Sequence, residues 1–503
     1  MQIFYNVRQG ESGPSYVYNS GSQWLNSVTA KQGSETKGSV EYRYDANGRV
    51  TYIWQDGRMY HIEYDRYGNT GMVSVGIANN GGGTTEYPLV TNVRDGKNGE
   101  LKQQLYGNGL LIDYIYDSVG RLSSTKRNNA VSAEYKYDAR GNLAVARENI
   151  TGYWRQFSYD AGNRLKTLRT SDGGRIAYDY DVLDRVTKKQ YNYNGVKRES
   201  TYGYGSDSRK GAQTLMANGS VGTAVNTTYD GLNRVTRIER KPQTNVNTQV
   251  NTTVTYVSGS GTNGTTMLPS QYVSQLQMNG GAESQVHSST YAYDANGNIS
   301  GMLENGSEIQ YSYDALGQLT EVRDTRRYRR IKYEYDQLGN VQTKKVYTEN
   351  YMGSVLESTV TYEYGDSMWK DKLTEYDGDA ITYDWIGNPL QYRDGMQFTW
   401  SGRQLNSAVY GSTNATYTYN EDGIRTSKTV SGKKTAYFLE GSTVIAQKTG
   451  SNVMWFLYES DGTRAGLEYN GERYLYVYNG QGDVVALVGT NGVVAKMCIR
   501  DRS

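Results

Sequence analysis

The chain has 503 residues, with 54 Lys and Arg against 52 Asp and Glu, and only two His, one Cys and five Pro. Such a balance gives no field favouring nucleic acid or an anionic membrane, and these counts leave no basis for a collagen, a zinc-ribbon array, a disulfide-stapled module or a haem protein. Apolar runs such as Val484 to Val488 are far too short to span a bilayer.

Forty-nine Tyr stand against five Phe and seven Trp, with 58 Gly, in a chain that is 36% hydrophobic. A buried phenol must find a hydrogen-bond partner or cost free energy, so Tyr suits a half-wet surface where the hydroxyl stays solvated. The expectation is an extended sheet with partly dry aromatic faces, not a set of compact cores.

In chain order, residues 1–41 read as divergent hairpins, and from Tyr42 to Gly482 a repeat takes over. Its unit is Tyr-Asp-x-x-Gly, then a polar residue, then usually an aliphatic one. Copies stand at Tyr44-Asp45 with Gly48, Tyr64-Asp65 with Gly68, Tyr116-Asp117 with Gly120, and Tyr137-Asp138 with Gly141. Others replace the Gly: Tyr159-Asp160 with Asn163, Tyr180-Asp181 with Asp184, and Tyr229-Asp230 with Asn233. The Gly returns at Tyr293-Asp294 with Gly297, Tyr313-Asp314 with Gly317, Tyr335-Asp336 with Gly339, and Tyr383-Asp384 with Gly387.

Gly, Asn and Asp are the residues that most readily take a left-handed backbone, so all these copies obey one rule. The repeat's Asp can accept from backbone donors about two residues on and close the turn. Upstream, alternation such as Tyr42-Arg43-Tyr44 and Tyr114-Ile115-Tyr116 predicts a strand with Tyr on one face. Neighbouring copies lie 20 (44 to 64), 21 (116 to 137) or 22 (137 to 159) residues apart. Each period therefore holds two strands and two turns.

The wider gaps, 180 to 229 and 335 to 383, predict degenerate hairpins, and Tyr106-Gly107-Asn108-Gly109 suits a tight turn. Eroded copies are expected at Trp400-Ser401-Gly402-Arg403 and Tyr419-Asn420-Glu421-Asp422-Gly423. Two polar stretches, residues 76–85 and 241–289, read as insertions or irregular edges. The fold class is all-β, with continuous antiparallel hairpin repeats.

Tyr-Asp-x-x-Gly-Arg-Leu/Val units at this spacing resemble the YD repeats of the Rhs family, whose relatives include insecticidal toxin-complex shells, teneurins and wall-associated proteins of Gram-positive bacteria. The resemblance implies hairpins joined edge to edge into a ribbon that spirals into a hollow shell, here a partial one. It implies a non-enzymatic scaffold, secreted or on the cell surface, whose partner is its own C-terminal toxic domain. Residues 483–496 resemble the approach to the family's core, and the toxin beyond it is absent from this sequence. Residues 497–503 match, in frame, a translated sequencing adapter, so the one Cys, Cys498, is expected to be foreign to the protein. The alternative function is an adhesin or wall-associated protein binding cell-wall or host glycans through exposed Tyr and Trp. A cryptic hydrolase is a third.

Neither residues nor resemblance call for a catalytic site, a cofactor, a metal, a nucleic-acid partner or a membrane span. The oxygen ligands of Asp294-Ala295-Asn296-Gly297-Asn298 lack the distal acid and flanking helices of a calcium loop. His61 and His287 are far apart and read as strand-face residues. No phosphate loop is present, and no pair of carboxylates is singled out for glycoside hydrolysis. The basic run Arg326-Arg327-Tyr328-Arg329-Arg330, taken as a strand, would split its charges between two faces and be solvated or cargo-facing.

Overall fold

The computed structural model describes residues 13–496 apart from 33–34, 56–57, 79–83, 207–208, 220, 260–263, 337–338, 351–352, 368 and 370. The hairpins expected within residues 1–12, and the terminal stretch 497–503 with Cys498, lie outside the described residues. Among those described, the regular structure is antiparallel strand, apart from one short 3-10 turn at Arg393–Gly395. The chain divides into two units, each made of two separated stretches. Unit 1 takes Met1–Ala133 and Gln310–Thr416, and unit 2 takes Glu134–Ile309 and Tyr417–Ser503.

In unit 1, successive strands pair with their chain neighbours from Gly13–Tyr18 through Leu122–Arg127. The later stretch repeats this from Leu319–Asp324 to Asp379–Ala380, and again from Thr382–Tyr383 to Gln404–Tyr410. Unit 2 carries one such ribbon from Leu143–Glu148 to Ile299–Glu304 and a second from Arg425–Val430 to Val494–Lys496.

Alternation governs the strands: Glu41 and Arg43 are exposed where Tyr42 and Tyr44 are half-buried. The hairpins also share a bulge. Tyr44 pairs with Val50 and Arg43 with Tyr52, leaving Thr51 as an extra residue, and the same slip follows Tyr116, Tyr159, Tyr180, Tyr229, Tyr293 and Tyr335. A bulge repeated at fixed spacing adds right-handed twist at each hairpin. The extra residue often uses its hydroxyl, as Ser123 Oγ does in donating to Ile115 O at 2.9 Å.

Two expectations need correction. Residues 241–289, anticipated as irregular, hold the long paired strands Thr248–Ser258 and Thr265–Met278. The cause is β-branched alternation within the polar run, with Val250 and Val254 buried beside Thr252. Of residues 76–85, 79–83 lie outside the described residues, and the strands on either side, Thr70–Ala78 and Thr84–Arg94, are paired from Met72 to Ala78.

The second correction concerns the faces. Unit 2 has dry cores where its two ribbons meet. Tyr193 stacks on Phe438 with centroids 4.8 Å apart, and Trp455 meets both rings edge-on at 6.2 and 6.3 Å. Leu168, Ile176, Leu215, Ile445 and Leu457 complete this cluster, and a second gathers Val250, Leu276, Val286, Leu475, Val477 and Val488. Gly174 admits the Phe438 ring, since a Cβ there would stand 2.3 Å from Phe438 Cε2. Tyr abundance therefore did not keep this face wet, because aliphatic residues alternate with Tyr along the same strands.

Candidate functional site

The repeat turn is the element used most often in the chain, and its geometry explains the residues that define it. At Asp45 the backbone N–H donates to Arg49 O (2.9 Å), and the carbonyl accepts from the Gly48 N–H (3.1 Å). Asp45 Oδ1 accepts from the N–H groups of Asn47 and Arg49 (2.9 and 3.0 Å), while Oδ2 accepts from Arg49 Nε (2.6 Å). The same two backbone bonds close all eleven turns read from the sequence, from Asp45 to Asp384.

The fourth turn position is left-handed whichever residue holds it. Gly48, Gly120 and Gly297 have φ of +81°, +82° and +84°, and Asn163, Asp184 and Asn233 have +65°, +60° and +68°. Where Arg is replaced by Asn, the amide takes its place. Asn142 Nδ2 reaches Asp138 Oδ2 at 3.2 Å, and Asn388 Nδ2 reaches Asp384 Oδ2 at 2.8 Å.

These donors hold the carboxyls ionised. The Arg guanidinium first, and backbone N–H groups with it, keep Asp45, Asp181 and Asp230 below the usual carboxylate range. For Asp117, Asp138 and Asp160 the leading cause is the N–H of the residue four positions on. Asp294, whose oxygens accept from the N–H groups of Asn296 and Asn298 and from Asn298 Nδ2, is engaged in the same way, which accounts for its alternate oxygen ligands without an ion.

Each turn also grips the next repeat. Tyr64 OH donates to Val50 O (2.9 Å), Tyr180 OH to Leu165 O (2.7 Å), Tyr204 OH to Val186 O (2.9 Å) and Tyr335 OH to Leu319 O (2.6 Å). The acceptor is the aliphatic residue just after the preceding turn. Across the same step, the turn Arg lies over the next Tyr ring: Arg49 over Tyr64 at 4.6 Å, Arg164 over Tyr180 at 4.7 Å, Arg185 over Tyr204 at 4.5 Å and Arg234 over Tyr256 at 4.2 Å. So the Arg binds its own Asp and the following Tyr together. The repeat hydroxyls, expected to be solvated, are thus spent on backbone carbonyls.

Comparison with known proteins agrees with this geometry. A family model described as RHS Repeat matches residues 293–329 and 313–350, and one described as Teneurin YD-shell matches residues 6–168. Residues 6–168 and 293–350 thus carry the RHS/YD repeat pattern. It is 31% identical over 176 residues to the tRNA nuclease WapA of Bacillus subtilis (strain 168), covering 33% of this chain and 7% of WapA. Its fold resembles the crystal structure of TcdB2-TccC3-Cdc42 at 12% identity and TM-score 0.51, over 96% of this chain and 30% of that one. TcdB2-TccC3 without its hypervariable C-terminal region gives 12% and 0.50 over the same shares. The chain thus spans a minor part of the relatives it matches.

Some turns escape the consensus. Asn420 Oδ1 accepts from the N–H groups of Asp422 and Ile424, as an Asp would, and Asn479 does the same for Gln481 and Asp483. At Asp95 the turn carries one more residue before Gly99, with Asp95 N–H donating to Glu100 O. In the gap after Tyr180, Gly205 N–H donates to Arg209 O. At Asn420, Asn479 and Gly205 the signal is the Tyr before the turn rather than an Asp within it, whereas Asp95 follows Arg94 and carries no such mark.

Glu459 departs further. Its turn closes as the others do, but the side chain leaves it for Arg240 Nη2 (2.5 Å) and Nε (3.1 Å), with both residues buried. It is one of several ion pairs joining the ribbons of unit 2. Arg155 Nε reaches Glu421 Oε1 (2.7 Å), Lys189 Nζ reaches Glu440 (2.7 Å), and Glu468 lies between Arg198 Nε (3.1 Å) and Arg473 Nε (3.0 Å). Buried pairs of this kind add little net stability but penalise any other register. Around Lys189 and Glu440 opens a cleft of about 550 Å³ lined by Tyr191, Tyr202, Tyr204 and Tyr458. Burial pushes the Tyr191 hydroxyl well above its ordinary value and raises that of Tyr202.

The remaining candidates are structural. His61 Nδ1 lies 2.8 Å from Glu86 Oε2, which also accepts from Ser74 Oγ at 2.6 Å, and the imidazole stacks on Tyr52 at 4.2 Å. Ser74 is fully buried and bonded to the carboxylate rather than to the imidazole, so it is not set up as a nucleophile. His287 is buried 3.3 Å from Asn305 Nδ2. The basic run is only partly the strand expected: Asp324 Oδ1 caps the N–H groups of Arg326 and Arg327, Tyr328 turns left-handed at φ +50°, and the strand Arg329–Tyr335 begins at Arg329. Arg330 pairs with Glu321. Among the described residues no group of three or more His, Cys, Asp or Glu is placed to hold a metal ion, and no helix is long and apolar enough to cross a membrane.

Proposed function

We propose that the chain is a length of wall from a secreted or surface-displayed toxin of the RHS/YD type, a non-enzymatic scaffold that sequesters a C-terminal toxic domain. The observation that carries this reading is the contact from each turn to the next. Arg, Tyr and a backbone carbonyl lock hairpin to hairpin in a form that can be extended without limit, which is what a wall requires. The ionisable groups of the repeat are gathered into its turns and into ion pairs. The likeness to a tRNA nuclease over a small part of that protein supports placing a toxic activity outside the repeats, and the RHS/YD relationship supports a curved wall around a guest.

Protease protection tests it in the full-length protein encoded by the parent gene. The domain following the repeats should survive protease at concentrations about tenfold above those that cleave it when expressed alone. Equal cleavage in the two settings would overturn the reading.

A further inference from the structure

We propose that the open edge of the strand Gly353–Glu363 in unit 1 pairs, antiparallel and about a two-fold axis, with the same edge of a second copy of this chain. The proposal goes beyond the scaffold reading and does not depend on any enclosed guest.

The hairpin that carries this edge outruns its neighbour on one side only. Val341–Asn350 pairs with Gly353–Glu363 up to Asn350 on Gly353. The preceding hairpin backs Val341–Asn350 almost to the tip, since Arg329 pairs with Thr348 and the Glu349 N–H donates to Tyr328 O at 2.7 Å. On the far side, Tyr376 and Glu375 pair only with Tyr362 and Glu363, and the Asp377 N–H donates to Thr361 O at 2.8 Å where that hairpin turns back. Among the described residues no strand pairs with the outer edge from Gly353 to Val360, a stretch of roughly 25 Å. Every residue from Gly353 to Thr359 is exposed, with Val355 at 60% and Leu356 at 51%.

An open edge presents a row of backbone N–H and C=O groups ready to pair, and folded proteins ordinarily blunt one with Pro, with Lys or by keeping it short. Gly13–Tyr18 carries Pro14, and Val494–Lys496 is three residues long and ends in Lys496. Gly353–Glu363 runs for eleven residues without Pro, Lys or Arg. This edge is long and unguarded.

Its composition decides the partner. Between Gly353 and Val360 the one charge is Glu357, the extra residue of a bulge, whose carboxylate already accepts from Thr348 Oγ1. A charged peptide therefore finds no counter-charge along the edge, whereas an almost uncharged strand with exposed aliphatic residues matches it. The edge of a second copy is such a strand. Antiparallel pairing centred on Leu356 sets Leu356 against its mate, Ser354 against Ser358 and Val355 against Glu357, so the two Glu357 carboxylates do not face each other. The contact is isologous and closes at two copies. One strand pair is smaller than a standard interface, so the association belongs to the weak class.

Sedimentation equilibrium from about 1 to 200 μM tests this. The mass should rise from that of one chain, 56.3 kDa, towards twice that value, and hydrogen exchange at Gly353–Val360 should slow about threefold or more across the range. Leu356→Lys and Leu356→Glu should each remain monomeric, because like charges then stand face to face, and their equimolar mixture should associate at least as well as the unaltered chain. A constant mass, exchange that slows elsewhere and not at this strand, association left intact in both variants, or a mixture that stays monomeric would each overturn the assignment.

Discussion

In unit 2 the ribbon that starts at Leu143–Glu148 buries Tyr193 against Phe438 and Trp455 from the ribbon that starts at Arg425–Val430. Both apolar clusters formed by buried described residues lie in that unit. Unit 1 has the same turns and the same bulges, and its two stretches meet through polar clamps, with Asn108 on Asp384 and Gly402 O, Arg127 on Gln404 and Trp369 on Tyr60, as well as through the Tyr87–Trp385 stack. The repeat therefore dictates the hairpin edges and leaves the faces to the residues between turns. Unit 2 fills those positions with Ile176, Leu215, Ile445 and Leu457.

The largest effect should be one that ignores the difference between the units. Repeat carboxyls whose folded values are depressed contribute stability that is fully present above their unfolded value of about 3.9, and lose it as the pH falls through the folded value. Asp95, held by the Lys102 ammonium and the Lys97 N–H, lies lowest, at about 2. Turns in both units carry this depression, so acid should unfold both together between about pH 4 and pH 2. Circular dichroism with site-resolved hydrogen exchange would show it. Exchange that stays flat over that range in either unit would break the shared-edge half of the comparison.

Trp455→Ala tests the other half. The side chain is buried among three aromatic rings, so its loss should cost about 3–5 kcal/mol. Hydrogen exchange should rise within unit 2 and change little at unit 1 strands such as Arg58–Tyr64. A uniform rise across both units would mean that the core is not local to unit 2.

Glu459→Leu should cost about 3 kcal/mol, because it strands the Arg240 guanidinium in a buried place. The double variant Arg240→Met/Glu459→Leu should recover most of that loss in chemical denaturation, since the pair contributes register more than stability. Failure to recover would show the pair itself to be strongly stabilising.

The hairpins were legible because the turn is local: Asp45, Gly48 and Arg49 make their bonds within five residues. The second role of Arg49, over Tyr64, was hidden because it reaches 15 residues on, into the next repeat. Less visible still were the unit 2 pairs, where Arg240 and Glu459 stand 219 positions apart and only Glu459 sits at a repeat turn. The stretch 241–289 misled through its Thr, Asn and Ser, although Val250 and Val254 carried the strand period all along. The Tyr87–Trp385 stack was readable only as an unusual residue at a tip position, since Tyr87 comes from a distant strand.

The smallest effects lie at the left-handed position, and they separate backbone strain from packing. Gly297→Ala meets nothing within 4 Å, so its cost is that of a left-handed Ala, about 1–2 kcal/mol. Gly48→Ala carries the same strain and also drives a Cβ to 2.7 Å from the Trp24 ring, so it should cost more. Asn163→Gly relaxes the backbone but removes the paired amide bonds with Asn142, at 2.6 and 3.2 Å. These exposed bonds and the backbone gain are each worth a fraction of a kcal/mol, so the change should stay within about 0.5 kcal/mol of zero. If thermal melts instead placed Asn163→Gly beside Gly297→Ala, the amide ladder between neighbouring turns, and not the left-handed backbone, would be what the Asn copies of the repeat preserve.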